Sequence, residues 1–354
     1  MDIRELEFAE WEEMIPDTGF DVFHSTEALR LLNEHTAADL HLLGGFKGEQ
    51  PIGLFPVFER SYTIGQLITS PPPGYGVVRL GPLVMPTSPK PRKRESVNKA
   101  FIQSVIEHLK ANSKSTLFRI VCDPRYGDPR PFQWTGFDTA PSFTYQLDLE
   151  STTPDEVLKS FSSDRRKEIR NWDDELISVR TGGMEDAKKT YELIRTRYRE
   201  QNLKVPHEWA FVRDLIKTLD DRVRVYVAET VDGEFVSGVL VLYSNDTAYN
   251  WKGSTKSATR DLPVSPNSVL HWKIIEDILE DATLDSIERY DMYSANEERL
   301  SPYKSSFGGD LKPYYVIESP GLGLKAAKGA YQLAAHGKRP FGQDPVKSLN
   351  LLGN

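Results

Sequence analysis

Lys304 stands between Tyr303 and Phe307 and is followed by Gly308 and Gly309, in the stretch SPYKSSFGGD. A lysine ammonium is a compact point charge with three donors. Aromatic neighbours would strip part of its water and strengthen its pull on a phosphate or a developing oxyanion. The same pattern also fits a surface lysine whose stem lies along the rings. Arg166 and Arg170 are four residues apart. On a helix they share a face and could cradle a phosphate or carboxylate. The interleaved Asp164 and Glu168 fit a solvated charged helix equally well. Ser265-Pro266-Asn267 has the capping serine and first-turn proline of a helix start. Free N–H groups there attract phosphate, although the cap serves the helix with or without a ligand. Asp291 accompanies Tyr290 and Tyr293, and Tyr249 and Trp251 share the run TAYNWKGS. Each of these fits either a buried structural role or a site wall.

Other chemistries lose their usual supports. Seven histidines include no His-Glu-x-x-His or other paired metal spacing, so no metal is expected. Gly-x-Ser-x-Gly is absent, as are a P-loop and a Gly-x-Gly-x-x-Gly after a strand. The single cysteine, Cys122, excludes an internal disulfide and suits a reducing compartment. No run of 18 apolar residues occurs. The start MDIRELEFAE has neither the basic nor the apolar region of a signal peptide. Net charge is −8 with a pI near 5.5, which disfavours broad nucleic-acid binding. A cytoplasmic location is expected.

The elements that must position these residues come in a repeated order. The first half has a hairpin, HLLGGFKGEQPIGLFPVFE, then a Pro/Gly-rich segment and an amphipathic helix with Val97, Phe101, Val105 and Leu109 at four-residue spacing. The strands TLFRIVCD and FTYQLDL follow. The second half has the hairpin RVRVYVAETVDGEFVSGVLVLYS, a Pro-punctuated loop and helix, then SIERYDMY and LKPYYVIE. Gly48-Glu49 precedes Gly53 at the spacing with which Gly233-Glu234 precedes Gly238. Repeated order predicts two related domains, 1–150 and 151–319. Thr153-Pro154 opens a helix at the boundary. The tail, 320–354, carries five Lys/Arg against one acid and is rich in small residues. It reads as a peripheral helix with a frayed end, or as a segment lying on an anionic membrane.

The second half resembles the FemABX and GNAT acyltransferase superfamily. The resemblance rests on RRKEIRNW (165–172), the hairpin, SPNSVLHWKIIEDI, and YDMYSANEERLSPYKSSFGGD, in that order. It implies an α/β (α+β) fold of two tandem GNAT-like domains, each a mixed, mostly antiparallel sheet flanked by helices. It also implies transfer of an acyl or aminoacyl group to an amine by direct attack, without a covalent enzyme intermediate. The pyrophosphate signature Arg/Gln-x-x-Gly-x-Gly/Ala is missing between TAYNWKGS and the helix at 266, which departs from an acetyl-CoA enzyme.

On this resemblance Lys304, Asp291 and Tyr303 are the catalytic candidates. Lys304 would stabilise charge, and Asp291 would orient or deprotonate the amine. Arg166, Arg170, Ser265, Asn267, Phe307 and Gly308 would bind donor or substrate, with Tyr249 and Trp251 walling the acceptor. No permanent cofactor is implied. The co-substrate would be acyl-CoA or aminoacyl-tRNA, with Arg165, Arg166, Lys167 and Arg170 as a tRNA-binding groove. The acceptor would be a small-molecule or cell-envelope-precursor amine. A non-catalytic GNAT-like scaffold for a nucleotide- or lipid-linked ligand is the other reading. The first-half counterpart of the lysine motif, QWTGFDTAPSF, keeps the aromatic and the glycine but has no lysine. That asymmetry puts the expected site in the second domain.

Overall fold

The computed structural model describes residues 1–320, apart from 64, 86–87, 204, 258–261 and 263. The basic tail, with the membrane contact expected of it, lies outside the described residues. The chain divides into two compact units. One is Met1–Ser142 with residues 313–320, and the other is Phe143–Lys312.

The first unit contains β1 (Asp2–Glu5), α1 (Phe8–Met14), α2 (Thr26–His35), β2 (Asp39–Lys47), β3 (Gln50–Tyr62), β4 (Gly65–Ser70), β5 (Leu83–Val84), α3 (Pro91–His108), β6 (Thr116–Val121) and α4 (Arg130–Trp134). Strand β7 (Asp138–Asp148) crosses into the second unit. There follow α5 (Pro154–Ser160), α6 (Ser163–Arg170), β8 (Ile177–Gly182), α7 (Met184–Glu200), α8 (Trp209–Leu219), β9 (Val223–Thr230), β10 (Phe235–Tyr243), β11 (Thr247–Thr255), α9 (Pro266–Glu280), β12 (Arg289–Asp291) and α10 (Ser301–Ser305). Strand β13 (Asp310–Glu318) returns the chain to the first unit.

The two sheets repeat one another. In the first unit β1, β2, β3 and β4 pair antiparallel in sequence, β4 pairs parallel with β6, and β6 pairs antiparallel with β13. In the second, β8, β9, β10 and β11 pair antiparallel, β11 pairs parallel with β12, and β12 pairs antiparallel with β7. The expected two tandem, mostly antiparallel GNAT-like sheets are therefore present. The closing strands are exchanged. FTYQLDL closes the second sheet and the end of LKPYYVIE closes the first. Chain order alone suggests that each half keeps its own last strand. Pairing is decided by which sheet edge each strand meets, so sequence order does not specify it.

The hairpin match holds at the turn glycines and fails beyond them. Gly48 and Gly233 both take a left-handed backbone, at φ of 63° and 74°, which glycine adopts without strain. Each following strand then carries a bulge, at Ile52 in β3 and at Val236 in β10. The bulges fall four and three residues after those glycines. Both bulges precede the next glycine, but Gly48 opens a two-residue turn and Gly233 closes a three-residue one, so Gly53 faces Phe101 of α3 whereas Gly238 faces Thr190 of α7.

Helix starts follow local rules. Thr153 caps α5 in a capping box with Glu156, and Ser162 caps α6. Phe101 and Val105 of α3 are buried with Phe55, Val57, Phe118 and Ile120 in the first core. The second core is built by α9 (Val269, Leu270, Ile274, Ile275) against Tyr226, Val239, Val241 and Ala248. Burying a side chain of this size contributes about 1.5–3 kcal/mol.

Candidate functional site

Cross-strand partners point to the same side of a sheet, so register sorts the second unit's residues by face. Tyr290 pairs with Ala248, a residue of the α9-side core. Asp291 pairs with Tyr249 on the opposite face. The β11–β12 ladder ends at that pair, after three positions, while β11 runs on to Thr255. In the first unit the matching parallel ladder runs for five positions. The second sheet thus opens on one side of β11.

A bulge in β11 sets what faces that opening. Leu240 pairs with Lys252 and Val241 with Asn250, leaving Trp251 as the extra residue. Regular alternation would have turned Lys252 into the α9-side core. The bulge instead puts it on the face of Tyr249 and Trp251. Lys252 is buried, and its Nζ has no hydrogen-bond partner among the described residues. Burial, then the charge of Lys304, pushes it down to about 7. His207 is also buried, stacks on Trp251 with ring centroids 5.8 Å apart, and has both ring nitrogens unpartnered. Burial, then Lys252, pushes it down to about 3.

Lys304, on α10, donates to the carbonyls of Met292 (2.9 Å) and Ser294 (2.7 Å). Those residues begin the chain that leaves β12. Between them Tyr293 has φ of 60°, a strained value for a tyrosine. Asp291 fixes the same segment. Its carboxylate accepts from the Tyr293 N–H and the Thr144 hydroxyl, both at 2.6 Å, and from Gln146 Nε2 at 2.8 Å. Asp291 is therefore a buried anchor of the loop. Tyr249 packs edge-on against Tyr293 at 5.8 Å.

The other candidates gather on the α9 face. Asn267 Nδ2 donates to the Tyr303 hydroxyl at 2.8 Å. Burial pushes Tyr303 up to about 12. Phe307 is fully buried among Phe161, His271 and Tyr303. His271 bonds the Tyr290 hydroxyl through Nδ1 at 2.7 Å, and burial, then Lys304 and Arg165, pushes it down to about 3. Gly308 has φ of 76°, and a Cβ there would meet the Ser160 carbonyl oxygen at 2.6 Å. Lys304 lowers the pKa of Lys252 on one face and of His271 on the other, so its charge reaches both sides of the opened sheet.

Ser265 makes no side-chain cap on α9, although its sequence position suggests one. Its backbone N–H is taken by the Glu168 carboxylate at 2.5 Å. Glu168 also meets Arg165, which bonds Ser268 and Ser306 and lies over the rings of Tyr303 and Phe307. Arg166 donates to the Lys159 carbonyl at 3.0 Å, and Arg170 is exposed. The tertiary anchor of α6 is Arg165. Nothing in the spacing of Arg166 and Arg170 marks it out. Lys252 and His207 were also missed by sequence reasoning. The one available signal for Lys252 is a lysine inside an aromatic strand. None exists for His207, which reaches the site from the loop before α8.

Among the described residues no helix is long and apolar enough to cross a membrane, and no group of three or more His, Cys, Asp or Glu could hold a metal. Residues 159–305 match the acetyltransferase (GNAT) domain family. FemX shares the fold at a TM-score of 0.67 and 12% identity, over 92% of this chain and 99% of that one. The C-terminal domain of a proposed lysylphosphatidylglycerol synthetase from Agrobacterium fabrum aligns at 0.57 and 11%, over 94% and 98%. A tandem GNAT protein from the clavulanic acid biosynthesis pathway aligns at 0.52 and 11%, over 90% and 97%. No curated protein matches the chain at the sequence level. The fold is thus that of tandem GNAT proteins. The GNAT domain match covers residues 159–305, and over nearly the whole chain the fold is similar to those of FemX and tandem GNAT proteins.

Proposed function

We propose that this protein is an N-acyltransferase that moves an acyl or aminoacyl group onto an amine, with the reaction centred where β11 and β12 part. The observation that carries this reading is the position of Lys304. Its ammonium is tied to the Met292 and Ser294 carbonyls, on the chain that leaves β12 where the sheet opens. The amine nitrogen attacks the donor carbonyl carbon, a C–N bond forms, and the C–S bond of a thioester or C–O bond of an ester breaks. The amine proton leaves with the departing thiolate or alkoxide. A fixed positive charge near the developing oxyanion lowers the barrier without reorganising during reaction. Asp291, Thr144 and Gln146 hold the loop on which that charge rests.

Two donors fit the family likeness, an acyl-CoA and an aminoacyl-tRNA. The inward turn of Arg165 and the net charge of −8 favour the smaller one. Lys167 and Arg170 are the exposed cations of α6 that a tRNA would meet. The acceptor class is a small-molecule or cell-envelope-precursor amine. The test is mass-spectrometric detection of acylated product, with acetyl-CoA or lysyl-tRNA offered against an amine panel, for wild type and Lys304→Ala. Product from one donor and a loss of about 10²–10³-fold in the variant is expected. No transfer from either donor, or unchanged turnover in the variant, would overturn the reading.

A further inference from the structure

We propose that Lys252, His207 and Ser254 form a carboxylate-binding subsite beside the reacting centre. The three side chains are 6%, 4% and 5% exposed, and Lys252 Nζ, both His207 ring nitrogens and Ser254 Oγ have no hydrogen-bond partner among the described residues. Unpaired buried polar groups are costly and rare in folded proteins, and each calls for an explanation. The cluster is also built by the fold. The β11 bulge turns Lys252 onto this face, and Ser254 lies two residues along the same strand. His207 is held in place by stacking on Trp251, with the Tyr191 ring tilted against it at 6.1 Å.

Charge decides the ligand class. Among the described residues, what acts on Lys252 is its own burial and the Lys304 cation, with no acid. What acts on His207 is burial and Lys252. An anion placed here would relieve the lysine–lysine repulsion and pair the orphan groups. Lys252, one N–H of neutral His207 and the Ser254 hydroxyl supply donors for the two oxygens of a carboxylate. A phosphate, with more oxygens and more charge, is usually met by arginines or a set of backbone N–H groups.

The consequence for specificity rests on the acyl-transfer reading: the substrate carries a carboxylate near the reacting group. Binding itself needs no turnover, so the two claims fail separately. Calorimetric titration of the full chain with acetate, glycine, succinate, methylamine and inorganic phosphate tests it. Saturable acetate binding, at least about tenfold weaker in Lys252→Met, supports the subsite. His207→Phe keeps the ring stack and should weaken binding as well. Glycine tighter than acetate assigns the carboxylate to the amine acceptor. Succinate tighter than acetate assigns it to the acyl group. No saturable acetate binding, binding unchanged in both variants, or phosphate bound in preference to every carboxylate would overturn the proposal. An inactive enzyme that still binds acetate through Lys252 would instead sink the acyl-transfer reading alone.

Discussion

Among the described residues each unit buries one lysine or arginine, and the two are treated in opposite ways. In the first, fully buried Arg79 lies 3.9 Å from the carboxylate of fully buried Asp21, with the Tyr314 ring 5.5 Å away. In the second, buried Lys252 acts against another cation, Lys304, and among the described residues no acid contributes. A cation buried with its counter-ion serves the fold. One kept without a counter-ion is a standing cost, which the second unit carries where its sheet opens. The same contrast appears in the strand ladders, five positions against three, and in the lysine motif that only the second unit has.

The comparison can be broken most sharply at Arg79. Arg79→Met removes the buried cation that faces Asp21, so a loss of about 3–5 kcal/mol is expected in denaturant unfolding. A near-neutral result would erase the difference between the units. Next, Lys304→Ala should reduce turnover by about 10²–10³-fold while the melting profile shows a folded chain. Collapse of the fold instead would make Lys304 a structural clamp only. Third, Lys252→Met should stabilise the protein, on the order of 1–3 kcal/mol, by removing an unpaired buried polar group. The sign follows from linkage. With a folded value of about 7 against an ordinary 10.5, the unfolded chain holds a proton that the folded one has released between those values. Wild-type stability should therefore rise with pH across that window, and the variant should lack that rise. Equal slopes would show that Lys252 is solvated.

The smallest effect lies on the acid side. His207 has a folded value of about 3 against an ordinary 6.5, so stability is lost as pH falls from 6.5 towards 3. His207→Phe should remove about one proton from that slope, about 1.4 kcal/mol per pH unit, in unfolding curves at pH 4.5 and 6. His24 of the first unit, pushed down to about 4, would still contribute its own share.

Much of the fold was legible because it follows from local rules. Hairpin turns at Gly48 and Gly233, caps at Thr153 and Ser162, and the stripe of Phe101 and Val105 are all short-range patterns. The repeated order of elements was visible for the same reason. For the candidate site, the structure shows only where the expected residues lie. Lys304, Asp291, Tyr249 and Trp251 lie at or beside the opening, whereas Phe307 is a core ring and Arg170 is exposed surface. Lys252 was hidden because a bulge reverses alternation, and a bulge depends on the register of two strands.

By itself, then, the sequence determined which elements form, in what order, and that only one half carries the Tyr-Lys-x-x-Phe-Gly motif. Those outcomes rest on propensity, capping and periodicity within a few residues of each position. Tertiary structure alone decided three further matters. It exchanged the closing strands between the sheets, brought Arg165 rather than Arg166 into the α9 corner, and turned Lys252 onto the face where His207 stacks on Trp251. Each depends on contacts between distant segments, where burial, register and the local field act together and no short pattern records the result.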